Sequence, residues 1–311
     1  MMPEPPKPDE PVKARAGEGI SLGTLAVPRW RVQYQLQIDR AVSEGYRALA
    51  GRLNAFGRLT SVVVDTILLV ISELVLGILL GIAAFAFFVL HGNYLNRGVG
   101  AGAAASNAGA DLTHWLSSPT GLGLSALVTQ AGIFLILQLR VVGPGLLSWS
   151  EIGFGPALRR EPLRAFALGL GLGLAVFVMG EVLLLAMQAV GLPVNGQQQQ
   201  LQSVHHTSAL SFAFFAVTAA ITAPIAEEAF FRGYVLRALA VRHGFPLGAL
   251  VSSILFGLLH LTGGVGLVAL PLIVVGALLA WGYARTGNLI TDITAHALNN
   301  LIGVVLLLFS T

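Results

Sequence analysis

Apolar residues in this chain come in long unbroken runs and not in two-residue alternation, so the pattern predicts helices that are apolar around their whole circumference. Seven runs approach the ~20 residues needed to cross a hydrocarbon layer of ~30 Å. They cover approximately 61–90, 120–139, 165–189, 209–241, 246–262, 265–284 and 289–309, with short loops between them. Ahead of them, Ile38, Val42, Leu49, Leu53 and Phe56 draw one apolar stripe, while Arg40, Arg47, Arg52 and Arg58 fall elsewhere around the wheel. That pattern predicts an amphipathic helix over 36–59 lying in the membrane interface. Residues 1–35, with five prolines among mixed charges by Pro11, are too polar for a packed core and are expected to be a disordered tail. The fold class is therefore all-α: a polytopic membrane helical bundle of about seven transmembrane helices with an N-terminal interfacial helix.

Composition agrees with that reading. Of 311 residues, 55% are hydrophobic and 11% charged, and the mean hydropathy is +0.78, outside the range of water-soluble domains. The absence of cysteine excludes disulfides, thiol catalysis and cysteine metal sites. The net charge of +3 rests on sixteen arginines and two lysines. Apart from Arg97, they lie before the first span or around the loops that follow the second, fourth and sixth. They thus set topology and do not mark a nucleic-acid partner: the N-terminus is expected in the cytoplasm and the C-terminus outside a plasma membrane of the bacterial type. The segment between spans three and four, with Gln197 to Gln200 and the pair His205 and His206, carries no Arg, Lys, Asp or Glu and belongs on the outer side. It reads as a solvated linker, and the histidine pair lacks a third ligand nearby.

Six carboxylates lie within or at the edge of the spans: Asp65, Glu73, Glu181, Glu227, Glu228 and Asp292. Each charge at the centre of an inserting helix costs ~2.5–3.5 kcal/mol, against ~0.3–0.6 returned by a Leu, Ile, Phe or Val. The fourth span, with Glu227, Glu228 and Arg232, needs its charges paired or facing a hydrated cavity. At 100° per residue, Glu228 and Arg232 fall within ~40° of each other and can pair along the helix face, whereas Glu227 points about 140° away from Arg232. A buried polar clamp and a reactive free carboxylate are both compatible with this spacing. Phe256 and His260 share a face of the fifth span, and His296 and Asn300 a face of the seventh. Gly244 stands 16 residues after Glu228 and 16 before His260, ~24 Å along each helix, so the two come level. With ordinary tilt, His296 and Asn300 reach the same layer.

In this order, Glu-Glu-x-x-x-Arg (Glu227, Glu228, Arg232), Phe-x-x-x-His (Phe256, His260) and His-x-x-x-Asn (His296, Asn300) resemble the three signature motifs of the CPBP family. That family contains the Ras-converting type of CAAX prenyl endopeptidase and the bacteriocin-processing or ABI proteins. The resemblance spans about 205 to 303 and implies a catalytic core within 205–311, with 60–204 supplying N-terminal transmembrane helices. It implies an intramembrane endopeptidase acting on a membrane-embedded or lipidated, CAAX-like protein in the bilayer. Glu227 would be the general base, His260 would bind and polarise the attacking water, and His296 with Asn300 would stabilise the oxyanion. Arg232 would hold Glu228, and Phe256 would support the site. The family is commonly described as metalloproteases, yet a glutamate-activated water needs no metal. Were a zinc ion bound, Glu227, His260 and His296 would supply its three ligands; no zinc-protease His-Glu-x-x-His helix is present.

Asp292, four residues before His296, is a candidate to orient that imidazole or to serve the helix end. Asp65, Glu73 and Glu181 are expected in interhelical hydrogen bonds or along the cavity. The run Ala167 to Leu174, in which Leu and Gly alternate from Leu168 onward, favours close helix contact and is no phosphate loop. Two other classes remain open: a proton-coupled transporter, since buried Glu and His also form proton relays, and a catalytically idle immunity or scaffold protein. Internal inverted repeats, which would favour the transporter, are not visible.

Overall fold

The computed structural model describes residues 58–92, 100–155, 161–194, 208–263, 266–307 and 309. The tail expected over 1–35, nearly all of the interfacial helix expected over 36–59, and the segment with Gln197 to Gln200, His205 and His206 lie outside the described residues. The helices are α1 (Arg58–His91), α2 (Ala101–Leu116), α3 (Pro119–Ile136, extended by a wide π turn over Leu137–Val142), α4 (Pro162–Ala189), α5 (the span Ala209–Ala240), α6 (Phe245–Leu259), α7 (Ala269–Thr286) and α8 (Leu289–Leu307). No strand occurs among the described residues.

Six of these segments are long and apolar enough to cross a membrane, and α6 is a shorter apolar helix, so the architecture of roughly seven spanning helices stands. At 15 residues α6 is only ~22 Å long, and it ends in a tight 3-10 turn over His260–Gly263. The expectation of short loops fails between the first two spans. There α2 folds from Ala, Gly, Ser and Asn, a composition too small-chained and polar for a hydropathy reading to register. Large apolar side chains stand exposed along α1 and α4, among them Leu74, Ile78 and Ile82 on α1 and Leu163 and Leu185 on α4. Such a surface suits lipid, where helices satisfy their own backbone groups.

The small residues of α4 do what their spacing predicts. A Cβ on Gly169 would stand 2.7 Å from the Thr291 carbonyl, and one on Gly173 2.8 Å from the Ala295 carbonyl, so α8 lies directly on the α4 backbone. Gly171, on another face, has nothing within 4 Å. Gly244 closes α5 and opens α6 at φ 80°, a left-handed conformation that suits glycine. Asp65 forms an interhelical tie as expected. Asp65 on α1 accepts from Arg140 Nε at 2.9 Å and from the Tyr234 hydroxyl, joining α1, the end of α3 and α5. Glu181, by contrast, is exposed on α4.

Candidate active site

The fourth span is one long helix with two widened stretches, π turns over Thr218–Thr222 and Ala229–Leu236, on either side of the short α segment Ala223–Glu228. Pro224 accounts for the first. The Ala223 N–H bonds the Thr218 carbonyl, five residues back, and in that register the donor for the Ala219 carbonyl would be Pro224, which has no N–H. Two neighbouring helices add donors to the carbonyls of this stretch. Gln130 Nε2 on α3 donates to Thr218 O at 3.3 Å, and Asn300 Nδ2 on α8 donates to Ala219 O at 2.9 Å. Interruptions of this kind recur at functional sites. Here they flank the adjacent carboxylates Glu227 and Glu228.

Glu228 and Arg232 form the ion pair that their spacing predicts, Arg232 Nη1 donating to Glu228 Oε1 at 3.0 Å, with side chains 0% and 1% exposed respectively. Arg232 is further held by Nη2 donating to the Gly276 carbonyl on α7 at 2.9 Å and by the Phe256 ring, whose centroid is 4.8 Å from the guanidinium carbon. Next to Arg232, Gly233 admits the backbone of the loop residue Ile152: a Cβ there would lie 2.4 Å from Ile152 O. Ile152, in the loop that follows the second span, thus seats against α5 one residue from the pair.

His296 is oriented by Glu228 and not by Asp292. Its Nδ1 lies 2.9 Å from Glu228 Oε1. Because that carboxylate also accepts from Arg232, the imidazole is the donor and Nε2 faces the opposite way. Asp292 is itself fully buried, and neither of its side-chain oxygens has a hydrogen-bond partner. The His260 ring is fixed in the same sense, Nδ1 donating to the Phe256 carbonyl at 2.8 Å. Phe256 therefore supports the site from three directions. Its backbone sets the tautomer of His260, its ring edge-packs against His296 with centroids 5.6 Å apart, and its face carries Arg232.

These constraints aim both Nε2 atoms at one oxygen. Glu227 Oε2 is 3.9 Å from His260 Nε2 and 3.9 Å from His296 Nε2, and it is a buried oxygen without a hydrogen-bond partner. The side chains of His260, Glu227 and His296 are 27%, 13% and 4% exposed, so the cluster opens on the His260 side. Asn300 stands one helical turn beyond His296. Besides its bond to Ala219, its Oδ1 accepts from Asn299 Nδ2 at 3.1 Å. Sequence reasoning passed over Asn299, Gln130 and the carbonyls of Ala219 and Gly276; only Pro224, in the middle of an apolar run, signalled that carbonyls would be freed there.

The donor set bears on zinc. Tetrahedral ligands at ~2.0–2.2 Å from zinc lie about 3.4 Å from one another, closer than the 3.9 Å separations here. Among the described residues no group of three His, Cys, Asp or Glu side chains is placed to hold a metal ion. The separations of Glu227 Oε2 from the two imidazoles are wider than a bound zinc would set.

Residues 209–302 match the family model described as Rce1-like, type II CAAX prenyl endopeptidase. The matched segment, the C-terminal third of the chain, contains Glu227, Glu228, Arg232, Phe256, His260, His296 and Asn300. The match supports, over that segment, the resemblance carried by the motifs. No characterised protein and no solved structure matches the chain.

Proposed function

We propose that this chain is an intramembrane endopeptidase that hydrolyses a peptide bond of a membrane-associated or lipidated, CAAX-like protein with a water activated by Glu227 and His260. The observation that carries the reading is the convergence of both Nε2 atoms on Glu227 Oε2 at 3.9 Å. A water at ~2.8 Å from both Glu227 Oε2 and His260 Nε2 would see them at an angle of about 90°, within reach of ordinary hydrogen bonding. Glu227 takes its proton. The tautomer that leaves His260 Nε2 as an acceptor lets it receive the second water hydrogen and turn the oxygen lone pair toward the scissile carbonyl.

As the water oxygen bonds the carbonyl carbon, charge gathers on the carbonyl oxygen. Asn300 has a second Nδ2–H to offer it. His296, when protonated, keeps its Nδ1–H on Glu228 and offers Nε2–H. Glu227 then passes its proton to the amide nitrogen, the carbon–nitrogen bond breaks to give a carboxylic acid and an amine, and the acid's remaining water hydrogen moves to the amine as the two products leave. No step requires a metal ion. The distribution of arginine supports a topology with the N-terminus in the cytoplasm and the C-terminus outside.

The test compares new peptide N-termini in membranes containing the wild type and Glu227→Gln, which keeps the shape of the side chain and removes the base. Turnover falls by about 10²- to 10⁴-fold while the amount inserted and the melting midpoint stay at wild-type values. Equal turnover by the two forms removes Glu227 from the base role, and wild-type membranes without new N-termini speak for a transporter or scaffold.

A further inference from the structure

The Asn299 to Asn300 contact is unusual, because consecutive residues of a helix point about 100° apart and do not ordinarily face each other. Yet Asn299 Nδ2 donates to Asn300 Oδ1 at 3.1 Å, while Asn300 Nδ2 donates to the Ala219 carbonyl at 2.9 Å. A carboxamide has one oxygen and two N–H groups. Here the oxygen is held on one side by a donor and one N–H is held on the other by a carbonyl that Pro224 leaves without a helical partner. The plane of the amide is fixed at both ends, and one N–H remains over.

We infer that Asn299 is a positioning residue of the hydrolysis: by holding Asn300 Oδ1 it aims the remaining Asn300 N–H at the oxyanion. The inference rests on the role proposed above for Asn300. Asn299 touches neither water nor substrate in this scheme and acts only through its neighbour. Its weight comes from geometry, since an oxyanion donor is effective only when it is already aimed at the position where charge develops.

Asn299→Asp is the sharp variant. It is isosteric and still polar, but it presents an acceptor to Asn300 Oδ1. The amide is then pulled toward turning over, which would set Oδ1 against the Ala219 carbonyl, and either outcome misdirects the free N–H. Asn299→Gln retains a donor on a longer arm. The assay measures kcat, KM and melting midpoint for the full chain in proteoliposomes, with a prenylated peptide ending in a CAAX-type tetrapeptide as probe.

Expected are a fall in kcat of about 10²-fold for Asn299→Asp, the scale of one lost oxyanion donor, with KM and melting midpoint unchanged, and recovery to within roughly tenfold in Asn299→Gln. The double variant Asn299→Asp/Asn300→Ala is no slower than Asn300→Ala alone, because both act on one donor. Asn300→Ala that is slow beside Asn299→Asp at full speed overturns the inference and leaves the oxyanion role standing. Asn300→Ala at full speed overturns both. A loss in Asn299→Asp that appears as a lower melting midpoint, or that multiplies with Asn300→Ala, makes the contact structural and overturns the inference.

Discussion

Glu228→Ala is the substitution whose cost the structure defines best. The carboxylate is 0% exposed and receives two hydrogen bonds, from Arg232 Nη1 at 3.0 Å and from His296 Nδ1 at 2.9 Å. Removing it leaves a guanidinium that is 1% exposed, with Nη2 on the Gly276 carbonyl and the Phe256 ring as its remaining neighbours. Breaking a buried ion pair from one side costs about 3–5 kcal/mol, because the surviving charge stays desolvated. Arg232→Met should cost a comparable amount from the other side. The double variant, with no charge left to strand, should recover most of it, so a double-mutant cycle yields a coupling of at least ~2 kcal/mol. The assay is reversible unfolding in bicelles followed by tryptophan fluorescence, with proteolytic turnover read on the same preparations. Turnover should stay lost in the double variant, since His296 no longer has an acceptor for Nδ1 and its ring is free to turn. A cost below about 1 kcal/mol for Glu228→Ala, or a cycle that is simply additive, would refute the reasoning, because it would mean that water reaches Arg232.

Two other outcomes follow from particular distances. Gly173→Val sets branched carbon where a Cβ already stands 2.8 Å from the Ala295 carbonyl, so it should destabilise by about 1–3 kcal/mol and displace His296 on the next residue of α8, lowering turnover; Gly171→Ala, with nothing within 4 Å, should change neither melting nor rate. Chelation by EDTA or phenanthroline should leave turnover and melting unchanged, with well under one zinc per chain by elemental analysis; loss of turnover that added zinc restores would show that Glu227, His260 and His296 draw in from their 3.9 Å separations.

The spans were legible because a bilayer selects on a property that any window of sequence displays. The ends of all seven predicted runs lie within a few residues of the helices observed, and Gly244 sits at the turn from which the depth of Glu228 and His260 was counted. Helix α2 escaped because Ala101 to Leu116 is built from small residues, of which Ala104 and Ala108 are buried, and not from an apolar run. Within one helix, spacing also sufficed: four residues separate Glu228 from Arg232, and they pair. Spacing misled where the partner lies on another helix. Asp292 stands four residues before His296, yet His296 donates to Glu228 on α5, a contact that depends on how α5 and α8 cross and that no periodicity encodes.

Asn300 illustrates the same boundary from the other side. Its motif spacing marked it, but its orientation depends on a carbonyl that is available only because α5 widens at Thr218–Thr222 and because Pro224 has no hydrogen to give. A straight α5 would consume the Ala219 carbonyl internally, and Asn300 would have nothing to hold it in place across the bundle. The charges of this helix are tolerated in an apolar run for a related reason. Glu228 and Arg232 compensate each other and fix His296, and this leaves Glu227 facing two imidazoles whose other nitrogens are already committed. The polar groups whose insertion is costly are the same groups whose mutual bonding sets the tautomers on which the proposed chemistry depends, so stability and reactivity in this site cannot be altered independently by substitution at Glu228.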